Sequence, residues 1–395
     1  MSQKDQAING GTPVRTQLLP YARQSIDDAD VQAVSSVLRG DWLTTGPAVQ
    51  EFERAFAAFV GAKEAVAVSN GTAALHAAYF ALGIRQGDEV IVPAMTFAAT
   101  ANAAVYLGGV PRFADSDPET LLIDPASIEK LITPKTKAIA VVDYAGQPCD
   151  YDALRSVADR HHLPLLADAC HALGGTYRGK SVGSLAPLNT FSFHPVKPLA
   201  TGEGGMITTD DAELARRMRL FRNHGIGTEH RERQEKGSWF YEMTELGFNY
   251  RLTDIQCALG LSQLPKVPGW TARRQAIARQ YESALKGLPL RMLAVRPEVT
   301  HAYHLFVVEL DLNTLSVDRS TVFRALRAEG IGVNVHYIPV HLHPFYRERF
   351  GTTAGQCPVA EAAYDRLLSL PMFAAMTDAD VHDVVTALKK VLVAY

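Results

Sequence analysis

Ser192-Phe193-His194-Pro195-Val196-Lys197-Pro198-Leu199-Ala200-Thr201-Gly202-Glu203-Gly204-Gly205 is the stretch around which the rest of the chain organises. Residues 190–193 read as the end of a strand, and 206–209 as a second strand beyond the glycines. Between them stands one lysine among apolar and small neighbours. Burial disfavours a charged ammonium, so a lysine in this setting can lose its proton. A neutral lysine amine is the nucleophile that condenses with a carbonyl to give a Schiff base. Lysines beside glycine turns are usually solvated, so Lys197 takes its meaning from what surrounds it.

Working outward, apolar runs at 65–68, 89–93, 110–114, 138–144 and 164–167 alternate with helix-like patterns at 27–38, 49–60, 72–82 and 152–161. This alternation predicts an α/β chain on a mainly parallel sheet covered on both faces. Pro265 and Pro268 are expected to break any regular element. A helix-like stretch at 272–285 then leads to a second region, with strands near 304–310 and 332–336. The expected organisation is an N-terminal arm (1–25), a large domain (26–265) and a smaller C-terminal α/β domain (266–395). The charged run Glu229-His230-Arg231-Glu232-Arg233-Gln234-Glu235-Lys236 lies in a segment, 225–247, that reads as a long surface loop.

Composition narrows the function classes. The chain has 395 residues, 47% of them apolar, enough for two substantial cores. A net charge of −3 and a pI near 6.5 carry no polyanion footprint, so nucleic acid is not an expected partner. Cys149, Cys170, Cys257 and Cys357 form no CxxC pair, so neither a disulfide framework nor a zinc knuckle is indicated. Residues 1–17 lack the apolar core of a signal peptide, and no run approaches a membrane span. The expectation is a soluble cytoplasmic protein.

Several motifs carry chemistry. Asp168 ends the run Leu163-Pro164-Leu165-Leu166-Ala167-Asp168, at the C-terminal end of a buried strand, where open α/β sheets bind ligands. There a carboxylate can keep a pyridinium nitrogen protonated, as the electron sink of pyridoxal phosphate (PLP) requires; as an isolated residue it reads equally as a helix cap. His171, three residues on, can reach the same ring. Ser69-Asn70-Gly71-Thr72-Ala73-Ala74-Leu75 joins a strand to a helix, and its small residues let backbone N–H groups meet a phosphate. Gly174-Gly175-Thr176-Tyr177-Arg178-Gly179-Lys180-Ser181 matches the P-loop pattern letter for letter. It lacks the context that pattern needs, a strand directly before it and a helix opening at Lys-Ser. No G-x-G-x-x-G occurs, which disfavours a nicotinamide dehydrogenase. His336, His341 and His343 lie among prolines with no acidic residue in the segment, which favours polar substrate contacts over a metal site.

Together, Asp168, His171, Ser192 and Lys197, with the 69–75 segment upstream, resemble the DegT-type sugar aminotransferases, PLP enzymes of fold type I that act on nucleotide-linked keto-sugars. The resemblance runs from Pro20-Tyr21 to about Pro371. It includes Asp41-Trp42-Leu43-Thr44-Thr45-Gly46-Pro47, Pro93-Ala94-Met95-Thr96-Phe97, Asp168-Ala169-Cys170-His171-Ala172, Gly247-Phe248-Asn249-Tyr250-Arg251-Leu252 and Val335-His336-Tyr337. Within the family, Val142-Asp143-Tyr144-Ala145-Gly146, His171 and the segment around Lys197 are most similar to the C4 aminotransferases of pseudaminic acid biosynthesis. These use L-glutamate and a UDP-linked 4-keto-6-deoxy-N-acetylhexosamine.

The resemblance implies a role for each matching residue. Lys197 would hold PLP as a Schiff base and carry the proton, with the pyridoxamine form arising during turnover. Asp168 would pair with the pyridine nitrogen, His171 would contact the ring oxygen, and Phe97 would stack on the ring. Backbone N–H groups at Gly71, Thr72 and Ala73, with the Ser192 hydroxyl, would hold the phosphate. Asn249 would reach the phosphate of a second copy, which implies a homodimer with shared sites. Tyr21, Thr44, His194, Arg251, His336 and the 225–247 loop would serve the nucleotide sugar. A sister branch of dehydratases has histidine in place of this lysine, so Lys197 argues against it. GDP-perosamine-type and UDP-D-series bacillosamine-type substrates, and a noncatalytic sugar-binding homologue, are the alternatives.

Overall fold

Valine, isoleucine and alanine occupy consecutive positions in the apolar runs, which suits strands buried on both faces rather than one. The structure, a computed structural model, describes residues 3–228, 231, 233 and 237–395. Glu229, His230, Glu232, Gln234, Glu235 and Lys236 of the charged loop lie outside the described residues. The strands are β1 (Glu64–Val68), β2 (Glu89–Pro93), β3 (Val110–Ala114), β4 (Thr136–Val142), β5 (Leu165–Asp168), a small pair β6 (Thr176–Tyr177) and β7 (Lys180–Ser181), then β8 (Leu188–Ser192) and β9 (Gly205–Thr209). Seven of them form one sheet in the order β1-β9-β8-β5-β4-β2-β3. Every residue of β2, β5 and β9 is buried, so both faces are covered.

Within this sheet β9 alone runs against its neighbours β1 and β8, while the pairs β8–β5, β5–β4, β4–β2 and β2–β3 are parallel. The local cause is the connection 193–204. It carries no helix, so the chain cannot cross over and must turn back beside β8. Val68, Pro93, Val142, Asp168 and Ser192 therefore end on one edge of the sheet, and the loop bearing Lys197 overhangs that edge.

A second core gathers around the helix Val267–Ala284, the helices Arg319–Ala328 and Asp378–Leu392, and a three-stranded antiparallel sheet. Its strands are β10 (Leu290–Met292), β12 (Phe306–Leu310) and β13 (Leu367–Leu370); the short β11 (Val299–Thr300) pairs with β6 instead. The N-terminal arm is bound to this core. The Glu329 carboxylate accepts from the N–H groups of Ala7 (2.8 Å) and Val14 (3.0 Å) and pairs with Lys390 at 2.8 Å. Further on, the N–H of Gly332 donates to Leu19 O (2.7 Å) and that of Met372 to Tyr21 O (2.9 Å).

Three local expectations need correction or comment. Pro265 and Pro268 do not break the chain into a loop. Pro265 lies in a 3-10 turn, Leu264–Lys266, and Pro268 in the first turn of the helix Val267–Ala284, where its missing N–H has no intrahelical partner to lose. Residues 332–336 form no strand. Only Asn334 makes a bridge, to Ser369, because Gly332 is held by the arm and the Asn334 side chain takes the N–H of Val335 at 2.8 Å. The P-loop look-alike is the β6–β7 hairpin, turning at Arg178-Gly179, with no helix at Lys180-Ser181.

Gly260, on the helix Asp254–Gln263, meets the fully buried ring of Phe52; a Cβ there would lie 2.5 Å from Phe52 Cζ. Gly260→Ala is therefore expected to destabilise by about 1–3 kcal/mol of overpacking, against about 1 kcal/mol gained in helix propensity. A thermal melt checks this. A raised midpoint would mean that Phe52 has room to move.

Candidate active site

The site is assembled where β5 and β8 end and the helix Gly71–Ala81 begins. Asn70 is extended and caps that helix, its Oδ1 accepting from the N–H of Ala73 at 2.8 Å. Ala73 has therefore committed its N–H, which corrects its expected place among the phosphate donors. Gly71 and Thr72 remain in the first turn, where N–H groups lack intrahelical acceptors. A Cβ on Gly71 would come within 2.8 Å of Ser192 Cβ, and one on Gly205 within 2.4 Å of Asn70 O. Glycine at both positions lets the end of β8, the start of β9 and the helix N-terminus close into one cradle.

Asp168 is 6% exposed. Its Oδ2 accepts from Thr100 Oγ1 at 2.7 Å, and Thr100 is bonded in turn to Thr96 Oγ1 at 2.7 Å. Its Oδ1 accepts from the Cys170 N–H at 3.3 Å. These bonds hold the carboxylate at one orientation. His171 Nε2 meets the Tyr337 hydroxyl at 3.0 Å, while His171 Nδ1 is buried without a hydrogen-bond partner. His336 Nδ1 is bonded to Ser369 Oγ at 2.8 Å, and its Nε2 lies 3.3 Å from Asn334 Nδ2. The Tyr21 ring packs 5.4 Å from the His336 ring. The Tyr144 hydroxyl donates to His336 O.

These groups line one cavity of about 560 Å³. Of the residues singled out from sequence, it gathers Tyr21, Gly71, Thr72, Phe97, Asp168, His171, Ser192, His194, Lys197 and His336. Phe97 is 59% exposed on the cavity side. Thr44, Asn249 and Arg251 lie outside it. Thr44 bridges to Thr253, Asn249 bridges to Asn223, and Arg251 Nη1 donates to Asn223 Oδ1 at 2.9 Å. Of the 225–247 loop, Ile226 bridges to Met243, and Trp239 stands 85% exposed.

Sequence reasoning passed over Thr100, Tyr337, Asn334 and His304. Thr96 lies in the bend before the helix Ala99–Tyr106 and Thr100 in its first turn, so no regular spacing signalled their pairing. His304 and Asn334 offered no signal either, because only the packing of the second core brings them to this cavity.

Electrostatically the cavity favours neutral bases. Burial lowers Lys197 from the ordinary lysine value, opposed by the charge of Asp168; the Cys170 thiol is itself pushed far up by burial and stays uncharged. Burial also drives His171 well below the usual histidine range, and the positive charge of Lys197 adds to it. His336 is lowered to about 4 for the same two reasons. The fit to PLP is good: an oriented carboxylate for the ring nitrogen, an unpartnered His171 nitrogen for the ring oxygen, and a glycine cradle for the phosphate.

Among the described residues, five buried histidines have lowered pKa values: His76 and His336 at about 4, His301 at about 3, and His171 and His304 well below 6.5. The unfolded chain binds more protons than the folded one below about pH 6.5, so stability is present above that pH and lost as pH falls toward 4. Asp143, raised to about 7 by burial, works the opposite way, but it is one group against five. The melting temperature of the cofactor-free protein is expected to fall between pH 7 and pH 5. A flat or rising profile would refute the neutral-histidine reading.

Comparison with known proteins agrees with this chemistry. Residues 24–389 match the DegT/DnrJ/EryC1/StrS aminotransferase family. The spore coat polysaccharide biosynthesis protein SpsC of Bacillus subtilis is 44% identical over 381 residues, 96% of this chain and 98% of that protein. Helicobacter pylori PseC, an aminotransferase of pseudaminic acid biosynthesis, superposes with a TM-score of 0.90 at 32% identity, covering 96% of this chain and 100% of PseC. A Streptococcus pneumoniae protein solved in a PLP-form superposes with a TM-score of 0.88 at 32% identity, covering 95% and 98%, and it is also known in a PMP-form. Across nearly its whole length, this chain belongs to the DegT/DnrJ/EryC1/StrS family of PLP-dependent sugar aminotransferases.

Proposed function

We propose that this sugar aminotransferase moves an amino group from L-glutamate to C4 of a UDP-linked 4-keto-6-deoxy-N-acetylhexosamine, as in pseudaminic acid biosynthesis, and works in the cytoplasm as a homodimer with shared sites. The observation that carries the chemistry is the meeting of a desolvated Lys197 amine and an oriented Asp168 carboxylate in one cavity. The likeness to PseC over the full chain supports the choice of sugar.

Bound PLP supplies an electron sink that stabilises negative charge on the carbon beside the transferred nitrogen. Asp168 pairs with the ring nitrogen and His171 with the ring oxygen, while Phe97 covers the ring face. The N–H groups of Gly71 and Thr72 and the Ser192 hydroxyl hold the phosphate, completed by Asn249 of a second copy. Lys197 removes the proton from the α-carbon of glutamate in the first half-reaction. In the second it returns a proton to the sugar carbon that receives nitrogen. Tyr21, His194 and His336 face the sugar. Thr44 and Arg251, the other residues expected at the nucleotide sugar, lie outside this cavity.

The higher identity to SpsC than to PseC favours a second reading, in which the same chemistry acts on a different 4-keto nucleotide sugar. GDP-perosamine-type or UDP-D-series bacillosamine-type substrates are the choices.

A two-step absorbance experiment separates them. L-Glutamate is expected to bleach the visible band of the lysine-bound cofactor, and a 4-keto nucleotide sugar to restore it. Restoration by the L-series UDP-sugar alone supports the first reading; restoration by a GDP- or D-series sugar alone supports the second. No bleaching with glutamate or any other amino acid would overturn both. Lys197→Ala should fold normally and lose at least the roughly 100- to 10,000-fold that a positioned proton carrier contributes. Substantial remaining turnover in that variant would remove Lys197 from its role.

A further inference from the structure

His76 lies on the helix whose N-terminus forms the phosphate cradle, yet it faces away from the cavity into a box of four aromatic rings. Tyr106, Phe221, Phe248 and Tyr250 have ring centroids 5.3, 4.9, 5.1 and 5.9 Å from the imidazole. His76 is 3% exposed, and burial keeps it neutral, with its pKa lowered to about 4. Its Nδ1 lies 3.2 Å from the Tyr250 hydroxyl, and its Nε2 is buried without a hydrogen-bond partner. An imidazole with one nitrogen unsatisfied is a net cost in such a place, where an apolar residue of similar size would carry none. What the imidazole provides is its bond to Tyr250.

Tyr250 is tied a second time, to the turn that leads into the same helix. Its carbonyl accepts from the N–H of Ser69, at 2.8 Å, just before the cradle, and its own N–H donates to Arg222 O at 3.0 Å. Phe248 stacks on Tyr250 at 5.0 Å with 13° between the planes, and its N–H donates to Phe221 O at 2.7 Å. Phe248 and Tyr250 thus turn to one face of an extended stretch. The residue between them, Asn249, must point to the opposite face, since side chains alternate along extended backbone. Asn249 is exposed and, among the described residues, pairs through its backbone bridge with Asn223.

We propose that His76 and Tyr250 form a clamp through which the phosphate-binding helix of one chain positions Asn249 to complete the cofactor site of a second copy. This rests on the shared-site reading above. His76 and Tyr250 are positioning residues, and each site's grip on its cofactor depends on the clamp in the other chain.

Hybrid dimers test this. Two differently tagged chains are co-expressed and the hybrid is isolated on both tags. Lys197→Ala in one chain leaves a single site able to give the visible band of lysine-bound cofactor, and that band is titrated with PLP. Tyr250→Phe, which keeps the ring stack and removes only the hydroxyl, is placed in either chain. In the Lys197→Ala chain it is expected to raise the cofactor dissociation constant of the living site about 3- to 10-fold, the scale of one net hydrogen bond. In the chain that bears Lys197 it should leave that constant within about twofold of the parent. His76→Leu should match it in the first arrangement. The reverse pattern, equal loss in both arrangements, or loss in neither overturns the clamp. Asn249→Ala, placed in the same two arrangements, tests the shared-site reading by itself. If it acts only on its own chain's site, that reading falls and the clamp with it. If it acts on the other chain's site while Tyr250→Phe does nothing, the clamp alone falls. A chain that stays monomeric and holds PLP with undiminished affinity would overturn both.

Discussion

The closeness of Gly205 to Asn70 and Gly71 is the constraint on which the site depends. Three chain segments meet there with no room for a Cβ: the start of β9, the end of β8 at Ser192, and the first turn of the helix Gly71–Ala81. Because β9 returns beside β8, the connection between them hangs over the edge of the sheet. Lys197 is thereby brought over the cradle that the helix N-terminus forms. Had the chain crossed over to make β9 parallel, the same loop would have led away from the sheet edge.

Around this crossing the polar groups are arranged so that little is left free to reorient. Asp168 is oriented by one hydroxyl and one backbone N–H, and the hydroxyl is held by a second threonine. His336 is held on Nδ1 by Ser369 and faces Tyr21, which the N-terminal arm carries into the cavity. The arm owes its course to Glu329 and Lys390, a buried pair in the second core. Residues near both ends of the chain therefore shape the same cavity wall. A preoriented wall of this kind avoids the reorganisation that loosely held groups would need during proton transfer.

Much of the fold could be read in advance because the signal is local. A run such as Val90-Ile91-Val92 reads as a buried strand, and the helix-like patterns at 27–38 and 152–161 correspond to the helices Asp28–Leu38 and Tyr151–Arg160, capped by Asp27 and Asp150. The errors came where a local rule met a tertiary one. Pro268 reads as a breaker until the chain direction puts it in the first turn of a helix. Residues 332–336 read as a strand until the arm occupies their hydrogen bonds. The P-loop letters at 174–181 lack the preceding strand and the following helix that the pattern needs, and the chain folds there into a hairpin.

The α/β alternation, the lysine between two strand-like runs, the carboxylate at a strand end and the small residues at a helix start are legible in the chain, because each is a matter of residue type and short spacing. Which of these share a cavity follows from the packing of the whole chain. It brought Thr100 to Asp168, Tyr337 to His171 and Tyr21 to His336, contacts between residues 68, 166 and 315 positions apart that no spacing encodes. It also left Thr44, Asn249 and Arg251 outside the cavity of their own chain. The physical reason is that burial and hydrogen-bond satisfaction are properties of the packed whole. A short segment shows what a residue can do, and packing decides what it faces.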